Sequence, residues 1–274
     1  MQGNSALLPH PIDELLTIMA RLRDPQQGCP WDIKQTWQSI IPHTLEEVYE
    51  VADAVDRHDA PALCDELGDL LLQIVFMARI AQEQGLFNFT DVVQSITAKM
   101  VRRHPHVFAD TVYPDEKAQK QAWETIKHNE RNNKEQPATF FDGIPHAMPA
   151  LRRSQKLQQR AAQVGFDWGD WRQVIPKIEE ELAEVQDAVA QNESRERVEE
   201  EVGDVLMAAT NLARLLGINA ENALRLSNRK FENRFLQVEQ LLQQAGNNLV
   251  DASLAQMESA WETAKKIEKQ MNGS

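Results

Sequence analysis

The sequence predicts an all-α protein made of two tandem helical-bundle units, and three observations carry that prediction. Apolar residues recur at helical spacing almost throughout. No alternating run of β-branched residues bounded by turns appears, and neither GxGxxG nor the phosphate-binding GxxxxGK pattern occurs. Blocks of acidic and apolar residues also return at a nearly fixed offset, which marks an internal duplication.

The elements follow in chain order. Ile12, Leu15, Leu16, Ile18, Met19 and Leu22 form the first apolar stripe. Pro42 reads as preceding a helix capped by Thr44, with Glu47 at the capping-box position. Asp59 or Ala60 precedes Pro61, a favourable first helical residue, and Gly85 ends that helix. Thr90 or Asp91 starts the next, which carries Val92, Val93, Ile96 and Met100 and stops at Pro105. In the second half Pro176 opens a helix. Ser194 caps another, which closes with Leu212, Leu215 and Leu216 before Gly217. Asn219 begins a long helix toward Gly246, and Ser253 opens the last. The stretch from about His128 to Pro149 is polar, then dotted with Pro137, Pro145 and Pro149, and reads as a linker. The expected organisation is a helical domain at 1–130, a linker at 131–150 and a second helical domain at 151–274.

Composition narrows the function. A chain of 274 residues with 42% apolar and 26% charged residues has the profile of a soluble globular protein. Its longest apolar run, Leu70 to Ala78, is broken by Gln73 and is far too short to span a bilayer. No basic start leads into an apolar core, so the expectation is a cytoplasmic protein without a secretory signal. Cys29 and Cys64 supply neither a disulfide framework nor a four-ligand zinc site. A net charge of -13 argues against duplex nucleic acid as a partner. It leaves open phosphate ligands held through a divalent cation.

The duplication is specific. Glu46 to Val55 matches Glu180 to Val189 at an offset of 134, and Asp65 to Leu71 matches Glu200 to Leu206 at 135. One residue was therefore gained in the intervening loop. Cys29-Pro30-Trp31-Asp32 parallels Gly165-Phe166-Asp167-Trp168, and Trp123-Glu124-Thr125-Ile126-Lys127 parallels Trp261-Glu262-Thr263-Ala264-Lys265. Helix residues three apart share a face, so Glu181 pairs with Glu184 and Glu201 with Asp204. A loop of about ten residues should fold the two helices back on each other, bringing four carboxylates together. Glu47, Glu50, Glu66 and Asp69 would do the same in the first half. Two like charges at 4 Å repel by roughly 4 kcal/mol at an effective dielectric near 20. The cluster therefore calls for protons or a divalent ion. Oxygen-only ligands favour Mg2+, with Mn2+ as the alternative. A single ExxE is ordinarily a solvated helix face, but two linked pairs occurring twice in apolar context are not. Gly68 and Gly203, between the second pair of acids, read either as close helix crossings or as room for metal-bound phosphate. Asn211 falls on the face of Asp204 where the first half has Phe76, and reads either as a ligand contact that favours the second half or as a satisfied core amide. His43, His104 and His106 read as loop or packing residues.

ExxE followed after a gap by ExxD in an all-helical chain resembles the MazG nucleoside triphosphate pyrophosphohydrolase family in its two-domain form. The likeness includes GCPWD at 28–32, LEEVYE at 45–50, DELGDLL at 65–71, RRHPHVF at 102–108, VGFDW at 164–168 and EEVGDVL at 200–206. It implies Mg2+-dependent hydrolysis of nucleoside triphosphates to the monophosphate and pyrophosphate by a homodimer, with the C-terminal unit active. The implied metal ligands are Glu181, Glu184, Glu201 and Asp204, with Glu180 or Glu181 as candidates for the base. The implied substrate contacts are Lys230, Arg234 and Trp261, and Lys177, Glu200, Asn211 and Phe231 are further candidate substrate contacts. The first-half carboxylates are expected to form a weaker or inactive site. A Nudix hydrolase is set aside because its glycine register fails and its strands are missing. The remaining alternative is a helical nucleotide sensor or scaffold without turnover.

Overall fold

A computed structural model describes residues 10–132 and 139–272, and among these every regular element is helical. The chain divides into two compact units, residues 1–128 and 129–274. The first unit contains α1 (Pro11–Leu22), α2 (Pro30–Lys34), α3 (Trp37–Asp56), α4 (Ala60–Glu83), α5 (Phe89–Arg103), α6 (Pro105–Phe108) and most of α7 (Glu116–Asn132). The second contains α8 (Ala150–Ala162), α9 (Val174–Ala190), α10 (Arg195–Leu215), α11 (Ala220–Gln244) and α12 (Leu254–Asn272). A 3-10 turn at Trp171–Gln173 leads into α9. No helix among the described residues is long and apolar enough to cross a membrane.

In the first unit α3 and α4 form a hairpin, with α1 and α5 packed on α4. Met19, Ile40, Val75, Phe76 and Ile80 make its core. Arg23 is 7% exposed and ties the unit together from inside. Its guanidinium forks onto Glu83, donates to the Gln35 carbonyl at 3.3 Å and lies over the Phe76 ring. In the second unit α9 and α10 form the corresponding hairpin, and α8 packs on α10 and α11. There α11 and α12 pair around Val238, Leu242, Ala260 and Ala264.

The two hairpins turn in the same way. His58 and Asn192, equivalent at the offset of 134, both take a left-handed conformation (φ 55° and 50°). Asp59 Oδ1 then accepts from Ala62 N at 3.1 Å, and Ser194 Oγ from Arg197 N at 3.3 Å, so each second helix starts on a side-chain cap. The connections span 57–59 and 191–194, much shorter than the expected ten residues, because the helices extend further into the turn. The extra residue lies in that second connection.

Three further expectations are corrected. α3 does not start at Thr44. It starts at Trp37, capped by Thr36 with Ser39 in a reciprocal capping box, and Pro42 lies inside it. Burial of Ile40 and packing of Trp37 hold this first turn, and the proline forfeits only one early hydrogen bond. Thr44 instead donates back to the Ile40 carbonyl at 3.1 Å. Asn88, not Thr90 or Asp91, caps α5. The stretch read as linker carries the end of α7 and then, at 139–149, turns whose Phe140 and Asp142 carbonyls accept from Arg160. Pro137 lies outside the described residues.

Candidate functional site

The helical spacing does what the sequence implies for the second hairpin. Glu181 on α9 and Glu201 and Asp204 on α10 each offer an oxygen within 4.8 Å of the other two. Glu181 is 7% exposed and Glu201 only 2%, which is rare for carboxylates without compensation. Glu184 stands beside them, and its carboxyl is pushed above the usual range. A hydrogen bond shared with Glu181 is the main cause, followed by burial and the charges of Glu181 and Glu201. The first hairpin brings Glu47, Glu66 and Asp69 together within the same limit. There Glu47 and Glu66 are both raised, first by burial and then by neighbouring carboxylates, Glu50 and Asp69 for both.

What differs is the compensation. In the second hairpin Lys177 Nζ lies 3.1 Å from Glu180 and 3.0 Å from Glu181, and its pKa is raised by those hydrogen bonds. Arg197 reaches Glu200 at 3.1 Å and pairs with Glu201. The equivalent residues in the first hairpin are His43 and Ala62. His43 sits 3.7 Å from Glu46, and Gln73 Nε2 donates to Glu47 at 3.4 Å. Arg197 was not singled out from sequence, although its place four residues before Glu201 was a readable signal.

The second cluster fits a hard cation. Its ligands are all carboxylate oxygens from two facing helices, and Glu201 Oε2 is buried with no hydrogen-bond partner. Gly203 and Gly68 are not helix crossings, because nothing lies within 4 Å of a Cβ built on either. The space beside both glycines is open.

The remaining predicted residues separate into groups. Glu180 and Glu200 are exposed partners of Lys177 and Arg197. Asn211 is buried on α10, where its Oδ1 accepts from Arg214 Nε at 2.9 Å. Lys230, Phe231, Arg234 and Trp261 belong to the α11–α12 pair. Arg234 and Lys230 line a cavity of about 480 Å³ together with Arg229, Asn233 and Glu268. Arg234 bonds Glu268 at 2.8 Å and lies over the Trp261 ring, which is tilted against Phe231. No hydrogen bond or ion pair among the described residues joins Lys230, Arg234 or Trp261 to the carboxylates, although α10 and α11 are in contact. The histidines His104 and His106 pack against Trp123 and Tyr113, respectively, as expected of packing residues.

Comparisons with known proteins bear on both hairpins. The family model described as "MazG nucleotide pyrophosphohydrolase domain" matches twice, at 35–108 and 171–238, once over each hairpin. The nucleoside triphosphate pyrophosphohydrolase of Escherichia coli K12 is 48% identical over 94% of this chain and 98% of its own length. The nucleoside triphosphate pyrophosphohydrolase/pyrophosphatase MazG of Thermotoga maritima is 42% identical over 92% of this chain and 95% of its own. A solved mazG-related protein from Thermotoga maritima is 27% identical, with a TM-score of 0.37 over 42% of this chain and 98% of that one.

Proposed function

This chain belongs to the MazG nucleotide pyrophosphohydrolase family, and from that membership we propose that it hydrolyses nucleoside triphosphates to monophosphate and pyrophosphate in its C-terminal unit. The observation that carries the reading is the buried trio Glu181, Glu201 and Asp204, with its unpartnered Glu201 oxygen. These residues, with Glu184, would hold Mg2+ or Mn2+. The bound ion would neutralise triphosphate charge and acidify water.

The chain's own residues do the rest. Glu180, exposed and paired with Lys177, would accept the proton of the attacking water. Lys177 and Arg197, which balance the carboxylates here, become available to phosphate oxygens once another cation balances them. Lys230 and Arg234 stabilise the departing pyrophosphate, and Trp261 and Phe231 offer ring faces to a base. Because Arg234 is held by Glu268, its part requires exchange of that ion pair.

We read the working form as a homodimer. Leu182, Val189, Val202, Leu206 and Met207 on α9 and α10 are each between 45% and 58% exposed, an apolar face that a second copy would cover. Cys29 and Cys64 are free thiols, consistent with a cytoplasmic setting. The test is release of pyrophosphate, rather than orthophosphate, from mixed nucleoside triphosphates with and without Mg2+. Metal-dependent pyrophosphate release is expected. Tight binding of nucleotide without turnover would favour the sensor reading.

A further inference from the structure

Asn211 is 3% exposed, and its only hydrogen bond among the described residues is the one its oxygen accepts. The arginine guanidinium only donates, so the amide atom facing Arg214 Nε at 2.9 Å must be the oxygen. That fixes the orientation of the amide. Arg214 is itself 13% exposed and is clamped by Asp167, with Nη1 at 3.2 Å from Oδ2 and Nη2 on Oδ1. Asp167 comes from the segment before α9, 47 residues away, so a remote part of the unit sets the direction of one α10 side chain. The amide nitrogen of Asn211 has no acceptor among the described residues. That nitrogen is not among the fully buried unpartnered atoms, so the amide N–H keeps an opening to the space beside α10 from which an acceptor can approach.

Its position says which part of a ligand. Asn211 lies seven residues beyond Asp204 on a continuous helix, about 10 Å along the axis. A triphosphate bound at the carboxylates would have its phosphates at the near end of that distance and its nucleoside at the far end. The first unit has no such device. Phe76 stands at the equivalent position beneath Arg23, and Arg79, equivalent to Arg214, turns instead to Glu83 at 2.8 Å.

We propose that Asn211 reads the nucleoside moiety by donating a hydrogen bond to a sugar or base acceptor, and that Arg214 and Asp167 are positioning residues that hold it as a donor. This rests on the hydrolase reading above and specifies it. The experiment compares wild type, Asn211→Ala, Asn211→Asp and Arg214→Gln as full chains, using a panel of ribo- and deoxynucleoside triphosphates and, as inhibitor, inorganic tripolyphosphate, which lacks a nucleoside. Asn211→Asp is nearly isosteric and can still pair with Arg214, but presents an acceptor. Each variant should raise KM about tenfold for at least one nucleotide while kcat stays within about threefold. The tripolyphosphate inhibition constant should not move. Arg214→Gln should add little in the Asn211→Ala background. A penalty that disappears with deoxynucleotides places the acceptor on the sugar 2′-hydroxyl, and one that follows the base places it there. Unchanged KM for every nucleotide overturns the proposal, as does an equal loss of tripolyphosphate affinity. A wild type without triphosphate turnover fails the hydrolase reading instead, and nucleotide binding by the variants then decides this one alone.

Discussion

The two hairpins carry the same acidic skeleton and balance it by different means. In the second, Lys177 and Arg197 lie against the carboxylates, and Asn211 waits on the same helix. In the first, the same positions are His43, Ala62 and Phe76, and burial with neighbouring carboxylates raises Glu47 and Glu66. A duplicated chelating geometry can therefore outlast the charge pattern that makes it useful. Cations beside the second cluster offset part of its mutual repulsion, and the first hairpin has no cation at the equivalent positions.

The largest effect that could break this comparison is on turnover. Glu184→Ala or Asp204→Ala should lower pyrophosphate release by about a thousandfold with the helical circular dichroism intact. Glu50→Ala and Asp69→Ala should retain most turnover. A reversed pattern would move the active site to the first unit. Next comes charge balance. In metal-free protein Arg197→Ala should lower the melting temperature by a few degrees, because Glu201 loses a partner while Arg197 itself is half exposed and partly screened. Saturating Mg2+ should erase the difference, and Ala62→Arg in the first unit should cause no comparable loss.

The raised carboxyls add a pH dependence. A carboxylate whose folded pKa lies above its unfolded value stabilises the fold at low pH and loses that contribution as pH rises through the folded pKa. Metal-free protein should therefore lose melting temperature from pH 4.5 upward, in the window opened by Glu47, Glu66 and Glu184. Glu66→Gln should flatten the slope. The smallest effect concerns the glycines. Gly68→Ala and Gly203→Ala should each stabilise by about 1 kcal/mol, since a methyl meets open space on either helix. Only Gly203→Ala should also impair hydrolysis, if phosphate passes beside it.

Much of this was legible in the sequence for a physical reason. Local signals such as the Asp59 and Ser194 caps and the three-residue spacing of acids act within one or two turns, and they read directly. The start of α3 did not read, because Ile40 and Trp37 are held by a core assembled from distant segments. The Asp167–Arg214–Asn211 chain was equally hidden, since its partners lie 47 residues apart. So was the Glu268 counter-ion of Arg234. Sequence spacing exposes what one helix presents, not what another segment brings to meet it.

Manganese binding followed by electron paramagnetic resonance tests most directly whether the second hairpin is the chelator. Titrating wild type, Glu201→Gln and Glu66→Gln should show the tight Mn2+ signal lost in Glu201→Gln and kept in Glu66→Gln. Loss in Glu66→Gln with Glu201→Gln unaffected would contradict the account.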